Sequence, residues 1–330
     1  MLINILRRNS FAAFIFCLLV LFLFWLPKLF FGLESGTPEN LANTIPQPLW
    51  LECFQNKDCA IWLAFALTAI ATYFLLLLGD RFLDYSLNEF ALPLLYVVVV
   101  SAFPATQWFS GVQLAVLLLI IGLRYLFLVR QKHLGLGELF IAVFCFSCAA
   151  FCFPPALLIL VLPIVLFITN ISGWRAWIIF IVAATLPFAY LLLYYWVSAN
   201  DITPALDNLC LLLPDFHIAL PTTTIPQLVF IVIVFFGIIF AFSHGFLQRM
   251  GTKAQHAYVH LIIALLLLFS VLGIFFYPTY NYQLLPLIAL PVSVMLAYYF
   301  LTPSRGRKKK LIYLCVLIAA VVYLQVVEFL

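Results

Sequence analysis

Charge is scarce in this sequence. Asp, Glu, Lys and Arg together make up 8% of its 330 residues, where a soluble domain carries about 25%. The shortage excludes a soluble fold, and the apolar content excludes a disordered chain, which needs low hydrophobicity and high charge. Glycine is also sparse, 13 residues with no three-residue period, so a collagen-like strand is excluded. Eight cysteines in 330 residues are too thinly spread for a disulfide scaffold. Catalytic signatures are missing as well. The chain has no Walker loop, no G-x-G-x-x-G, no H-E-x-x-H and no G-x-S-x-G, which removes the sequence basis for an ATPase, a dinucleotide enzyme, a metalloprotease or an α/β-hydrolase.

What is present is apolar. Hydrophobic residues make up 67% of the chain and the mean hydropathy is +1.20, so the fold class is an all-α polytopic membrane protein. A membrane-crossing helix needs about 20 apolar residues. Eleven apolar segments meet or approach that length, at 11–31, 60–78, 90–103, 112–129, 138–153, 155–170, 176–196, 226–243, 257–277, 283–301 and 311–327. The third, fifth and sixth are short and lie beside Pro93, Pro104, Pro154, Pro155 and Pro163, which predicts tilted or broken helices lodged inside the bundle or lining a cavity. Residues 1–330 are expected to form a single integral membrane domain. The first segment is too long, and lacks the small-residue cleavage site, to read as a removed signal peptide.

The basic residues orient the chain. With the N-terminus in the cytoplasm and eleven crossings, every Lys and Arg falls inside except Lys28 and Lys57, two of 16. That is the bias the positive-inside rule describes, and it places the C-terminus outside. The acids divide the other way. Asp80, Asp84, Glu89 and Glu138 fall inside, while Glu34, Glu39, Glu52, Asp58, Asp201, Asp207, Asp215 and Glu328 fall outside. Two connections are long, and both are outer loops, 32–59 and 197–225. Segment 46–55 of the first mixes Trp50, Leu51 and Phe54 with polar residues and suits a short interfacial helix. The basic run RGRKKK at 305–310 is a cytoplasmic anchor with attraction for anionic lipid head groups. No folded basic surface accompanies it, so no nucleic-acid partner is expected.

Several residues are candidates for chemistry. Glu34 follows the first segment directly and Glu39 comes five residues later. A carboxylate at the membrane surface can act as a general base toward an acceptor hydroxyl or steady positive charge at an anomeric carbon; both acids also read as ordinary outer-loop residues. Gln107, Trp108 and Gln113, with Tyr277, Tyr280, Asn281, Tyr282 and Gln283, lie near the outer boundary. They form an interfacial aromatic belt or, gathered round a cavity, a surface that hydrogen-bonds and stacks on a sugar. Cys53 and Cys59 share the first outer loop and would close a small disulfide in an oxidising compartment. Cys17, Cys145, Cys148, Cys152 and Cys315 read as small packing residues inside helices. The five His are scattered, with 133, 244, 256 and 260 near the cytoplasmic side, and the Asp215–His217 pair supplies too few ligands for a metal site. No metal and no bound cofactor is expected.

The stretches NEFALPLLYVVVVSAFPATQWFSGVQLAVLLLIIGLRYLFLVR, ELFIAVFCFSCAAFCFPPALLILVLPIVLF, SGWRAWIIFIVAATLPFAYLLLYY and YQLLPLIALPVSVMLAYYF resemble an uncharacterised family of multi-span inner-membrane proteins of Bacteroidota. That resemblance implies a bacterial inner-membrane location and no activity. The arrangement of spans is also similar to the GT-C superfamily of glycosyltransferases, with a cytoplasmic N-terminus, an acid just after the first span and short irregular middle helices. This likeness implies a polyprenyl-phosphate sugar donor, Glu34 as the catalytic acid position with Glu39 as its neighbour, and Lys57 in the outer loop, with Lys28 at the boundary, as cations for the donor phosphate. The chain departs from that pattern in having Glu where Asp is usual, no paired acidic motif and no soluble C-terminal domain.

The leading expectation is therefore a GT-C-like glycosyltransferase working at the outer face. The alternative is a non-catalytic scaffold or subunit of a cell-envelope complex. A transporter or lipid flippase ranks below both, because ionisable residues at mid-membrane depth, which mark transport paths, are nearly absent. Membrane lipids, a lipid-linked sugar and envelope-complex subunits are the partners these readings imply.

Overall fold

A computed structural model describes residues 10–31, 57–82, 90–131, 135–164, 173–199, 203, 206, 224–242, 254–277, 282–301 and 307–329. Ten α-helices of ten or more residues account for most of them: α1 Ser10–Phe31, α2 Lys57–Phe82, α3 Ala91–Val100, α4 Gly111–Gln131, α5 Leu136–Cys152, α6 Trp174–Ala199, α7 Ile225–Ala241, α8 Ala254–Phe276, α9 Leu285–Leu301 and α10 Arg307–Phe329. A 3-10 segment, Pro154–Leu160, follows α5, and no strand occurs among the described residues. Among the described residues six helices are long and apolar enough to cross a membrane: α1, α2, α4, α6, α8 and α10. The chain has the architecture of a polytopic α-helical membrane protein. All eleven apolar segments of the sequence carry helical structure, five of them in shorter pieces.

Length and burial sort the helices. The short α3 is the most enclosed: Leu92, Pro93 and Leu95 to Val100 are all buried, and it packs on α9, itself buried along most of its length. A helix apolar on every side belongs in the interior, where its neighbours replace the lipid. The long helices flank this pair and show one apolar face outward. In α1 the inward stripe is Ala13, Cys17, Leu21, Trp25 and Lys28, each no more than 1% exposed, a spacing of three or four residues that keeps one face turned in. Phe11, Ile15, Leu19, Leu23 and Phe30 point out.

Helices in lipid gain no hydrophobic drive from touching each other, so close packing and polar contacts hold them. Small residues supply the first. Buried Ala60, Ala64, Thr68 and Thr72 line one face of α2, and the two hydroxyls bond back to the Ala64 and Thr68 carbonyl oxygens at 2.8 and 2.7 Å, which leaves no polar atom facing apolar neighbours. Gly122 of α4 admits the Phe146 ring of α5, which stands 2.6 Å from where a Cβ would be. Gly237 of α7 admits the Tyr313 hydroxyl of α10 in the same way, and that hydroxyl donates to the Ile233 carbonyl oxygen at 3.0 Å. Ser147 Oγ ties α5 to α6 by donating to the Ala184 carbonyl oxygen at 2.6 Å.

Prolines break the middle of the bundle as expected. Phe103 and Phe153 are both extended (φ −109°, ψ 112° and φ −147°, ψ 103°), because each precedes a proline whose ring disfavours the helical region for its neighbour. The first break separates α3 from α4. The second ends α5 and begins the 3-10 segment. His260 is 1% exposed and meets Tyr298 edge-on at 4.4 Å between ring centres, because α8 turns that face to α9. One sequence expectation is corrected. Cys315 is not a packing residue but is exposed on the outer side of α10. Cys145 and Cys152 are buried as expected, with Cys148 partly so.

Candidate functional site

The α3–α4 break is the one place where several polar side chains of the described bundle converge. Irregular backbone at membrane depth has to find hydrogen-bond partners inside the protein, and here the partners can be followed carbonyl by carbonyl. The Ser101 oxygen accepts from Gln325 Nε2 of α10 at 2.6 Å and from Gln107 Nε2 at 3.4 Å. The Pro104 oxygen accepts from Lys28 Nζ of α1 at 2.6 Å. The Thr106 and Trp108 oxygens accept from Gln113 Nε2 at 3.0 and 2.6 Å. Gln113 also starts α4: its Oε1 accepts from the Ser110 N–H and Oγ, both at 2.8 Å, in an S-x-x-Q capping arrangement. Trp25 Nε1 completes the set, donating to Ser101 Oγ at 3.3 Å.

The electrostatics centre on Lys28. It is 1% exposed, and a lysine buried in an apolar bundle is costly, because water no longer solvates the ammonium. Besides the Pro104 oxygen, its ammonium faces the Trp108 ring at 4.7 Å from the ring centre, a cation–π contact that strengthens as water is excluded. Two further buried atoms have no hydrogen-bond partner: Gln107 Oε1, an acceptor, and Trp108 Nε1, a donor. A cation, a spare acceptor and a spare donor thus share one loop and its wall. The spare acceptor and donor can each meet an O–H group, beside an ammonium that the Pro104 oxygen and the Trp108 ring already engage.

Helix direction places this site at one end of the bundle. Gln325 lies near the last turn of α10 and also donates to the Phe24 oxygen near the end of α1, at 3.3 Å, while Ser101 directly follows α3. α1, α3 and α10 therefore finish together and run in the same direction. The 3-10 turn Tyr282–Leu284 lies against the Pro104–Thr106 turn at this end, and Phe103 meets Phe230 of α7 edge-on at 5.4 Å.

Of the residues singled out in the sequence, Gln107 and Trp108 fall within the cluster and Gln113 organises it. Lys57 opens α2, and Tyr282 opens the 3-10 turn beside the loop; only their backbone is described. Cys59 is exposed in the first turn of α2. Glu34, Glu39, Cys53 and Tyr280 lie outside the described residues. Sequence reading missed Trp25, Ser101 and Gln325 and left Lys28 at the membrane boundary. A usable signal existed for Gln325, a lone amide in an apolar helix, the kind of residue that bonds across to a neighbour. For Lys28 the signal was its register with Ala13, Cys17, Leu21 and Trp25. Among the described residues no group of three or more His, Cys, Asp or Glu could hold a metal ion. No protein family, no curated protein and no solved structure matches the chain.

Proposed function

We propose that this chain is an inner-membrane glycosyltransferase of GT-C-like arrangement, with eleven spans, a cytoplasmic N-terminus and the polar end of the bundle at the outer face. It transfers a sugar from a polyprenyl-phosphate donor. The observation that carries the reading is the buried Lys28 ammonium over Trp108, six residues before Glu34 in the chain. The common direction of α1, α3 and α10 supports the span count, since the first, third and eleventh crossings of an eleven-span chain run the same way.

In this reading Lys28 faces the donor phosphate, and Gln107 Oε1 and Trp108 Nε1 take sugar hydroxyls. Glu34, with Glu39 as alternate, accepts the proton of the acceptor hydroxyl. The acceptor oxygen bonds to the anomeric carbon as the bond from that carbon to the phosphate oxygen breaks, and the electron pair leaves with the lipid phosphate, whose charge Lys28 balances. Lys57 and the Tyr280–Tyr282 segment serve as further donor or sugar contacts, and membrane lipids surround the whole.

The test is transfer of labelled sugar from a polyprenyl-phosphate donor in proteoliposomes. Glu34→Gln should abolish transfer with expression unchanged, and unaltered products would sink the assignment. A second reading, a scaffold subunit of an envelope complex, is favoured by the fact that Lys28 of α1, Gln325 of α10 and Gln113 of α4 all spend hydrogen bonds on the loop's own carbonyl oxygens. Stoichiometric partners in mild-detergent purification, with no transfer activity, would decide for it.

A further inference from the structure

A slot of about 750 Å³ lies between α1, α3 and α10. One wall is a stripe of α1 from Phe16 to Pro27, the other a stripe of α10 from Leu314 to Val326, and Leu94 and Val98 of α3 form the floor. At 1.5 Å per residue the two stripes are about 16 and 18 Å long, close to the depth of one leaflet, about half of a 30 Å hydrocarbon core. One extended hydrocarbon chain of that length has roughly 14 carbons and takes up roughly 400 Å³, at about 30 Å³ for each water-sized group, so the slot has room for two. Leu23 and Val322 line it and are 58% and 46% exposed, so it opens sideways toward lipid.

The lining is apolar except for Gln325, at the end next to the loop. Gln325 is 7% exposed, and both of its N–H groups are spent, on the Ser101 and Phe24 oxygens. What it has left to offer is Oε1, an acceptor, and an acceptor selects a donor. A neutral hydroxyl meets that demand, whereas an ionised phosphate brings acceptor oxygens of its own. The Ser101 oxygen that binds Gln325 also accepts from Gln107 Nε2, and Gln107 is a sugar contact of the proposed reaction. The polar end of the slot therefore adjoins the place where the sugar is held.

We infer that this slot binds the acceptor of the reaction, a two-chain lipid alcohol of the diacylglycerol class, with its chains between α1 and α10 and its hydroxyl donating to Gln325 Oε1. The inference rests on the proposed function for the reaction and adds the class of acceptor. In the transfer the lipid hydroxyl oxygen bonds to the anomeric carbon and its proton passes to the base. The bond from that carbon to the phosphate oxygen breaks, and the electron pair leaves with the polyprenyl phosphate. The products are a glycosylated diacylglycerol and the free polyprenyl phosphate.

The experiment is native mass spectrometry of the full chain in mild detergent, with dioleoylglycerol as probe. Its methyl ether, which lacks the donor, and dioleoyl phosphatidic acid are the comparisons. The alcohol should be retained about fivefold more than the ether, the effect of one hydrogen bond, and Gln325→Leu should level the two. Leu23→Trp and Val322→Trp fill the slot from its exposed side and leave the core undisturbed. Each should lower retention of the alcohol by about tenfold, the effect of excluding two or more methylenes. Leu19→Trp, on the outward face of α1 and outside the slot, should leave it unchanged. Equal retention of the ether or of the phosphatidic acid, or retention indifferent to both slot-filling variants, would overturn the inference. So would transfer of sugar to another acceptor while retained dioleoylglycerol stays unmodified. If dioleoylglycerol is retained as expected and no acceptor receives sugar, the enzymatic reading fails and the lipid-alcohol slot stands.

Discussion

Lys28 Nζ donates a 2.6 Å hydrogen bond to the carbonyl oxygen of Pro104, 76 positions along the chain. That bond ties the end of α1 to the break between α3 and α4 and holds a cation where no water reaches it. The proline that interrupts the helix is also the residue whose oxygen accepts the lysine.

The first prediction concerns this contact. Lys28→Met keeps the aliphatic bulk of the side chain and removes the ammonium. It leaves the Pro104 oxygen without its donor, a loss of about 1–3 kcal/mol, partly offset by relief of the buried charge. We expect a modest drop in the thermal unfolding midpoint in detergent. An unchanged midpoint would show that the bond from Lys28 to the Pro104 oxygen does not brace the break between α3 and α4.

Gln325→Leu removes the donor to the Ser101 and Phe24 oxygens. Interhelical hydrogen bonds in membranes average about 0.6 kcal/mol and reach about 1.7, so global stability should change little. The local effect should be larger, with faster hydrogen exchange in 101–110 than in the buried helix α9. Unchanged exchange in that segment would show that α10 does not brace the loop.

Gly237→Val places a branched side chain where the Tyr313 hydroxyl and a Leu296 methyl already stand. Overpacking of this kind costs about 1–3 kcal/mol, and α7 should separate from α10. The pair Gly237→Val with Tyr313→Ala should recover part of the loss. Additive losses in the pair, measured by thermal unfolding, would argue that the two residues do not meet.

Orientation can be read with thiol chemistry. Cys59 is exposed at the start of α2, at the end of the bundle proposed to face outward. In a variant whose other cysteines are Ser, an impermeant maleimide should label Cys59 in intact spheroplasts. Labelling only after permeabilisation would reverse the topology. In a variant that keeps Cys53 as well, increased labelling after reduction would demonstrate the disulfide.

Much of the architecture was readable from residue order. Long apolar runs, the asymmetry of Lys and Arg and the proline positions indicated a helical bundle with interrupted middle helices, and Pro104 and Pro154 break it by the local restriction a proline places on its neighbour. Gln107 and Trp108 stood out as polar residues at a boundary. Their association with Lys28, Trp25 and Gln325 was not readable, because those residues are 76 or more positions apart in the chain for the pairs that bond, and local periodicity carries no information over that distance.

The sequence by itself determined that this protein is a set of apolar helices, and in which stretches of the chain they lie, because hydropathy and proline act over a few residues. Only the tertiary structure decided that the short α3 is central, that α1 turns Lys28 inward, and that α1, α3 and α10 finish at the same end around an apolar slot of about 750 Å³. The reason is physical. In lipid every apolar helix face is equally content, so hydropathy cannot say which face meets which, and that choice falls to glycine gaps and to a few polar side chains that bond across helices.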